Sequence, residues 1–370
     1  MKKMFLLGMA MVMSLTMLMA QSREGLTEYK LDNGLTVILW EDHDQPDVTG
    51  YVAVRAGAMD EPAEYTGLAH YLEHMLFKGT QKIGALDWEK EKPYYEEIIR
   101  LYDEYAVTTD EAKRAELTTK INEASIEAAK YATVEDFFVL LDGIGATGVN
   151  AFTSYDMTCY HNSFPAASMY KWLTIFSDRL IDPVYRTFQA ELENVFEEYN
   201  MYQDNPSTHV RQHLFSKLYA GHPYERDVIG LPEHLKNPRL SKLIEFYNTW
   251  YVPNNMALII VGDFDTETTK PMIAETFGRL QSKPLPERPT YPKTSFAGNP
   301  KYKFKVGYYP TVVWAYDGVS MKDEDLLPLQ FVVSLLNNST STGLLDKLNI
   351  DGVVSSAGAS VDARRDQGRI

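Results

Sequence analysis

The sequence predicts an α+β protein made of two related α/β-sandwich domains, each a mixed, largely antiparallel sheet with helices on one face. Three observations predict it. Short strand-like runs interleave with amphipathic helical stretches along the whole chain. The earliest strands are joined by tight-turn residues, which favours antiparallel pairing. A Pro-rich stretch, Lys283-Pro284-Leu285-Pro286-Glu287-Arg288-Pro289, divides the chain, and the strand–helix–strand order recurs after it without a residue-level repeat. At 370 residues the chain is long enough for more than one core.

In chain order, Met1–Ala20 is a leader. Lys2 and Lys3 precede an apolar run from Met4 to Met19, and Leu18-Met19-Ala20 is followed by polar Gln21-Ser22-Arg23. This is the pattern of a bacterial secretory signal peptide cut after Ala20, and it predicts an exported, periplasmic protein. The competing reading, a retained anchor, requires a longer apolar span, and no lipobox cysteine stands at the junction. No later run is long enough to span a membrane. The net charge of −15 predicts no nucleic-acid partner. Cys159 is the only cysteine, which excludes an intrachain disulfide and a cysteine-rich metal site.

Tyr29–Leu39 reads as a hairpin about the Asn33-Gly34 turn, and Tyr51–Arg55 as a strand ended by Gly57. After Lys78-Gly79-Thr80 the composition shifts. Leu86–Tyr131 is rich in Glu, Lys, Ala and Tyr and predicts two surface helices, the second opened by a capping box at Thr108-Thr109-Asp110-Glu111. This pair is a decoration in one reading and a lid or docking arm in another. Val134–Leu141 is helical. Val149–Ser154 and Met157–His161 are paired strands, and a helix is expected over 164–180. Helices follow at 187–203, 240–250 and 268–277, with a buried strand at Met256–Val261 and a loop at His222–Arg226. Beyond the linker, Tyr302–Tyr309 is expected as a strand, 325–336 and 344–348 as helices, and Val353 onward as strand. The expected organisation is a signal peptide at 1–20, a first domain at 21–282 with a helical insert at about 82–133, a linker at 283–292, and an incomplete second domain at 293–370.

The chemistry concentrates in Thr66–Phe77, T-G-L-A-H-Y-L-E-H-M-L-F. His70, Glu73 and His74 stand at i, i+3 and i+4, one turn apart on one helix face. Two imidazoles so spaced can bind one Zn²⁺ through neutral ring nitrogens, and a carboxylate beside them can act as general base toward water. Leu68, Tyr71, Leu72, Met75 and Leu76 fall on the opposite side, so the helix has no solvated face and is interior. The alternative is two core histidines with a structural glutamate. In the helix 187–203, Glu191 and Glu198 are two turns apart at the edge of the stripe Phe188, Leu192, Val195, Phe196 and Tyr199, whereas Glu193 and Glu197 point to solvent. Glu198 is thereby a candidate third ligand. The alternative is that all four acids form a solvated face.

With these residues in place, the chain resembles the pitrilysin/insulinase family of inverted-motif zinc metallopeptidases, in its bacterial processing-peptidase-like form. The resemblance runs from about Tyr29 to the end. It rests on Gly67–Thr80 around H-x-x-E-H, on N-A-F-T-S at Asn150–Ser154, on E-L-E-N-V-F-E-E-Y-N-M-Y-Q-D-N-P at Glu191–Pro206, and on W-Y-V-P-N-N-M-A-L-I-I-V-G-D at Trp250–Asp263. It implies one zinc held by His70, His74 and Glu198, with Glu73 as the base. It implies that Glu191 orients a metal-bound histidine from outside the ligand set. Asn150, Ala151 and Phe152 match the family's edge strand, where an extended peptide adds by β-pairing. The implied activity is endopeptidase action on peptides or unfolded polypeptides.

The chain departs from the family pattern in three places. His74 and Glu198 are farther apart than usual, by about the length of Leu86–Tyr131. The family's later Arg and Tyr, seven apart, fall in ungapped match on Asn349 and Ser356. The second domain is short. These departures predict that additional C-terminal domains or a partner subunit complete the site. A non-catalytic scaffold or partner subunit, and a peptide-binding protein of the same fold, are the competing functions.

Overall fold

Residues 25–370 of the computed structural model are described here, apart from 45, 238, 297, 299, 307–308 and 339–341. The leader at 1–20 lies outside the described residues. The described chain forms two compact units: residues up to 196 with 228–286, and residues 197–227 with 287–370.

The first unit is built on a six-stranded sheet in the order β1-β2-β6-β3-β5-β4. β1 (Leu26–Lys30), β2 (Thr36–Glu41) and β3 (Asp47–Val54) come first. β4 (Thr147–Thr153), β5 (Thr158–Pro165) and β6 (Met256–Gly262) complete it. Only β2 and β6 run parallel, and the other pairs are antiparallel, so the sheet is mixed and largely antiparallel as expected. The Asn33-Gly34 turn joins β1 to β2, and Leu31 and Leu35 bond across it.

The register explains which face is covered. Val37 pairs with Leu258, Leu258 with Val52, and Val52 with Tyr160, so these buried residues share one face. On the other face Ile38, Ile259, Tyr51 and His161 are only half-buried. Helices cover the first face. Gly50 on β3 shows how closely: a Cβ there would lie 2.3 Å from the Trp172 ring. Trp172 is fully buried and donates its indole N–H to Asn162 Oδ1 on β5 at 2.8 Å.

The helices of this unit begin with α1 (Leu68–Met75). An antiparallel pair follows, α2 (Trp88–Val107) and α3 (Glu111–Ala128), and then α4 (Asp136–Gly143) and α5 (Met169–Asp178). Two expectations shift here. Asp110, not Thr108, caps α3, because its carboxylate accepts the Lys113 N–H at 2.7 Å while Thr108 ends α2. Phe164 belongs to β5, paired with Val48, and the α-helix starts only at Met169 after a single 3₁₀ turn. An apolar run does not distinguish a buried strand from a buried helix, and the pairing decided it.

α6 (Phe188–Gln203) runs from the first unit into the second. α7 (Pro206–Leu218), absent from the sequence expectation, follows directly. Its start was legible: Asn205 caps it through the Ser207 N–H, and Pro206 occupies the first helical position. α8 (Pro232–Leu235), α9 (Leu240–Trp250) and α10 (Thr266–Thr276) return to the first unit.

In the second unit β7 (Asp317–Gly318), α11 (Leu326–Ser334), α12 (Asp346–Ile350), β8 (Asp362–Ala363) and β9 (Gly368–Arg369) follow in order. The strands form a small antiparallel sheet, β7-β9-β8. The strand expected at Tyr302–Tyr309 is not formed by the described residues 301–306 and 309, and only β8 and β9 appear after Val353. Tyr302, Phe304 and Tyr309 are exposed, so the aromatic side chains described there do not supply the half-buried surface that favours a strand. The core instead gathers around Arg369, which is buried and donates to the carbonyls of Leu218 and Thr294, both at 2.8 Å.

Candidate metal centre

The site is built on α1. Gly67 precedes it at φ 89°, a left-handed conformation open to glycine, and a Cβ there would lie 2.6 Å from the Ile229 carbonyl. Glu61 satisfies the helix start by accepting the N–H groups of Gly67 and Ala69 at 3.0 and 2.8 Å. Thr66 is tied at the same point to His234, which accepts its N–H at 3.1 Å. Leu68, Tyr71, Leu72 and Met75 are buried, and His70 and His74 half-buried. Glu73 is buried, 7 % exposed, as an interior helix requires, whereas the two histidines are less deeply covered than that expectation.

His74 and Glu191 meet across α1 and α6. The His74 Nδ1–H donates to Glu191 Oε1 at 2.8 Å, and Lys78 Nζ reaches Oε2 at 2.5 Å. Burial works to raise the Glu191 carboxyl, but the hydrogen bonds from His74 and Lys78 and the lysine charge outweigh it and hold the group at about 2. Glu191 is thus ionised at working pH. Facing an ionised carboxylate, the His74 ring carries its proton on Nδ1. Glu198, two turns along α6, accepts a hydrogen bond from Tyr202 at 2.6 Å. Glu193 and Glu197 are exposed.

One ligand atom each of His70, His74 and Glu198 lie within 4.8 Å of one another, the group of this kind found among the described residues. A tetrahedral zinc with bonds of about 2.0–2.2 Å separates its ligand atoms by roughly 3.4 Å. Two imidazoles and a carboxylate are a zinc donor set that leaves a fourth position open. The residues fit the metal.

Glu73 is held from the sheet. Thr153, the last residue of β4, donates its hydroxyl to Glu73 Oε2 at 2.5 Å. Among the described residues β4 is an edge strand, paired with β5 alone. Its alternation separates the expected peptide-binding residues. Ala151 and Thr153 share the helix-covered face, and Asn150 and Phe152 the other, where Phe152 is 43 % exposed. The Ala151 N–H is taken by its neighbour's Asn150 Oδ1 at 2.9 Å. Cys159 is a core residue: burial, aided by the Glu73 charge, pushes its thiol up to about 11.

Thr153 and Lys78 both lie inside stretches already singled out, yet neither could be assigned from them. Thr153 is picked out only by counting β4's alternation from Ala151 and knowing which face α1 covers.

Residues 36–91 and 124–231 match the insulinase family (peptidase family M16), and residues 239–369 match the peptidase M16 inactive domain. Among solved structures, a protease from Helicobacter pylori superposes with a TM-score of 0.67 at 19% identity over 93% of this chain and 73% of that one. The chain has the fold and domain architecture of the insulinase family. The periplasmic protease PqqL from Escherichia coli has a TM-score of 0.67 at 21% identity, covering 94% of this chain and 34% of that one. At these identities the likeness is one of fold. By sequence, PqqL is 24% identical over 275 residues, 73% of this chain and 25% of PqqL. Bovine insulin-degrading enzyme is 24% identical over 280 residues, 74% of this chain and 23% of that enzyme. The chain spans about a quarter to a half of the length of the first curated relatives it matches.

Proposed function

We propose that this protein is a zinc-dependent endopeptidase acting on peptides or unfolded polypeptides, exported to the periplasm. The observation that carries the reading is the convergence of His70, His74 and Glu198 beside a buried Glu73 held by Thr153. His70 Nε2 or Nδ1, His74 Nε2 and a Glu198 oxygen would hold one zinc. When bound, that ion supplies Lewis acidity to the scissile carbonyl and to water. Glu73 takes a proton from the attacking water and returns it to the leaving amine, and the Thr153 hydroxyl fixes which carboxylate oxygen faces the reaction. Glu191 holds His74 in its ligating orientation. The β4 edge accepts the substrate as an added strand, with Asn150, Ala151 and Phe152 as its contacts. Among the described residues no helix is long and apolar enough to cross a membrane.

The test uses the secreted chain, its Glu198→Gln variant and its Glu73→Gln variant. About one zinc per chain after dialysis, lost in Glu198→Gln and kept in Glu73→Gln, is expected. Hydrolysis of an unstructured peptide should fall by three orders of magnitude or so in Glu73→Gln, as loss of a general base demands. A folded parent chain without zinc, or Glu73→Gln turning over at the parental rate, overturns the reading.

A further inference from the structure

Most of the α2–α3 hairpin, residues 92–123, falls between the two segments that match the insulinase family. A decoration would rest on the body through its own apolar stripe and leave the site untouched. The hairpin does otherwise. Tyr102, in the C-terminal half of α2, is 3 % exposed and sets its ring edge-on to Phe188 at 4.7 Å. Its hydroxyl donates to Gln189 Oε1 at 3.1 Å. Phe188 and Gln189 are the first two residues of α6, the helix that carries Glu191. Phe188 lies 4.9 Å from Tyr71 of α1, and the Tyr71 hydroxyl donates to the Phe188 carbonyl. A continuous series of ring contacts, Tyr71–Phe188–Tyr102, therefore runs from α1 to the hairpin.

A second tie runs through Arg186. Its guanidinium pairs with Glu91 of α2 at 2.6 and 2.9 Å, with both side chains buried. It also donates to the carbonyls of Lys78, Thr80 and Ile83, just after α1. Lys78 is the residue that pairs with Glu191. Between the two ties stands Thr187, a β-branched residue at φ 53°. That conformation is costly for such a side chain and persists only where neighbours over-determine it. The entry to α6 thus does not hold itself. The hairpin is anchored again at its far end, where Asp103 accepts from Ser241 at 2.6 Å and Asn237 donates to the Ala106 carbonyl at 3.0 Å.

We propose that the α2–α3 hairpin is a positioning element of the metal site, in which Tyr102, acting through Phe188, sets the start of α6 and so holds Glu191 against His74. Tyr102 touches neither ligand nor substrate. The inference rests on the zinc reading above, but it adds a part of the chain that the family pattern lacks.

The test compares Tyr102→Ala, Tyr102→Phe and, as a control on the exposed face of α3, Glu116→Ala. Zinc affinity is read by chelator competition, ligand geometry by the visible spectrum of the Co²⁺-loaded protein, and integrity by the far-ultraviolet spectrum of the metal-free chain. Tyr102→Ala should bind zinc about ten-fold more weakly, at the lower end of what groups outside the ligand set contribute. Its Co²⁺ bands should shift while its helical signal stays. Tyr102→Phe keeps the ring stack and should recover most of the affinity, and Glu116→Ala should match the parent. If Tyr102→Ala does not fold, Tyr102→Leu, which keeps apolar volume but loses the ring contact, carries the same readouts. A folded Ala or Leu variant with parental zinc affinity and Co²⁺ spectrum overturns the inference. A parent chain that takes up no zinc overturns the metal reading and the inference with it.

Discussion

The Glu91–Arg186 pair gives the sharpest stability prediction. Both side chains are nearly out of water, 2 % and 5 % exposed, and they meet in a two-point geometry. Removing one partner of a buried pair strands a charge, which costs about 3–5 kcal/mol. Arg186 keeps three carbonyl acceptors in Glu91→Leu, so the lower half of that range, about 3–4 kcal/mol, is expected. For a unit of this size each kcal/mol moves the midpoint by about 2–4 °C, so thermal unfolding should shift down by roughly 6–16 °C. The double variant Glu91→Leu/Arg186→Met removes both charges and fills their volume. It should regain at least half of that loss, because an apolar replacement of a buried pair is often neutral. The assay is denaturant and thermal unfolding of parent, single and double variants followed by circular dichroism. A single variant within about 2 °C of the parent, or a double variant no better than the single, would refute the reasoning.

Two further outcomes follow from the site and from the second unit. Glu191→Gln leaves an amide that can accept from His74 or from Lys78 but not from both, and it removes the charge. Zinc affinity by chelator competition should fall about 10–100-fold with the helical signal unchanged, and parental affinity would mean that His74 needs no orienting acid. His222, packed against Tyr224 and Tyr291, is pushed down to about 4, first by burial and then by Arg364, Arg365 and Arg369, against the opposing pull of Asp366. The unfolded chain takes up a proton near pH 6.5 that the folded chain refuses, so stability is lost as pH falls from about 6.5 toward 4. Urea unfolding at pH 7 and pH 4.5 should show a smaller drop in His222→Gln than in the parent, and equal drops would contradict it.

Elements with local signals were legible. α9 occupies 240–250 as its apolar periodicity and the following Val252-Pro253 require. The H-x-x-E-H face and the Glu191/Glu198 pairing came from helical geometry alone, since a period of 3.6 places those side chains whatever the rest of the chain does. Glu193 and Glu197 were separated from them on the same ground. What failed had a local pattern without a tertiary partner. Tyr302–Tyr309 alternates like a strand, but Tyr302, Phe304 and Tyr309 are exposed. Phe164 extends an apolar run that is compatible with a helix, and Val48 claims it for the sheet.

The sequence by itself determined the candidate ligands, the candidate base and the kind of chemistry they can support, because those depend on residue types at fixed offsets within single helices. The contacts across the chain were decided only by tertiary structure. Thr153 reaches Glu73 because β4 pairs with β5 at the edge beside α1. Glu91 finds Arg186, and Tyr102 finds Phe188, because the hairpin folds back over the entry to α6. These contacts join residues far apart in the chain. No periodicity encodes such a pairing, and it forms only because burial leaves a charge, a hydroxyl or a ring no cheaper partner.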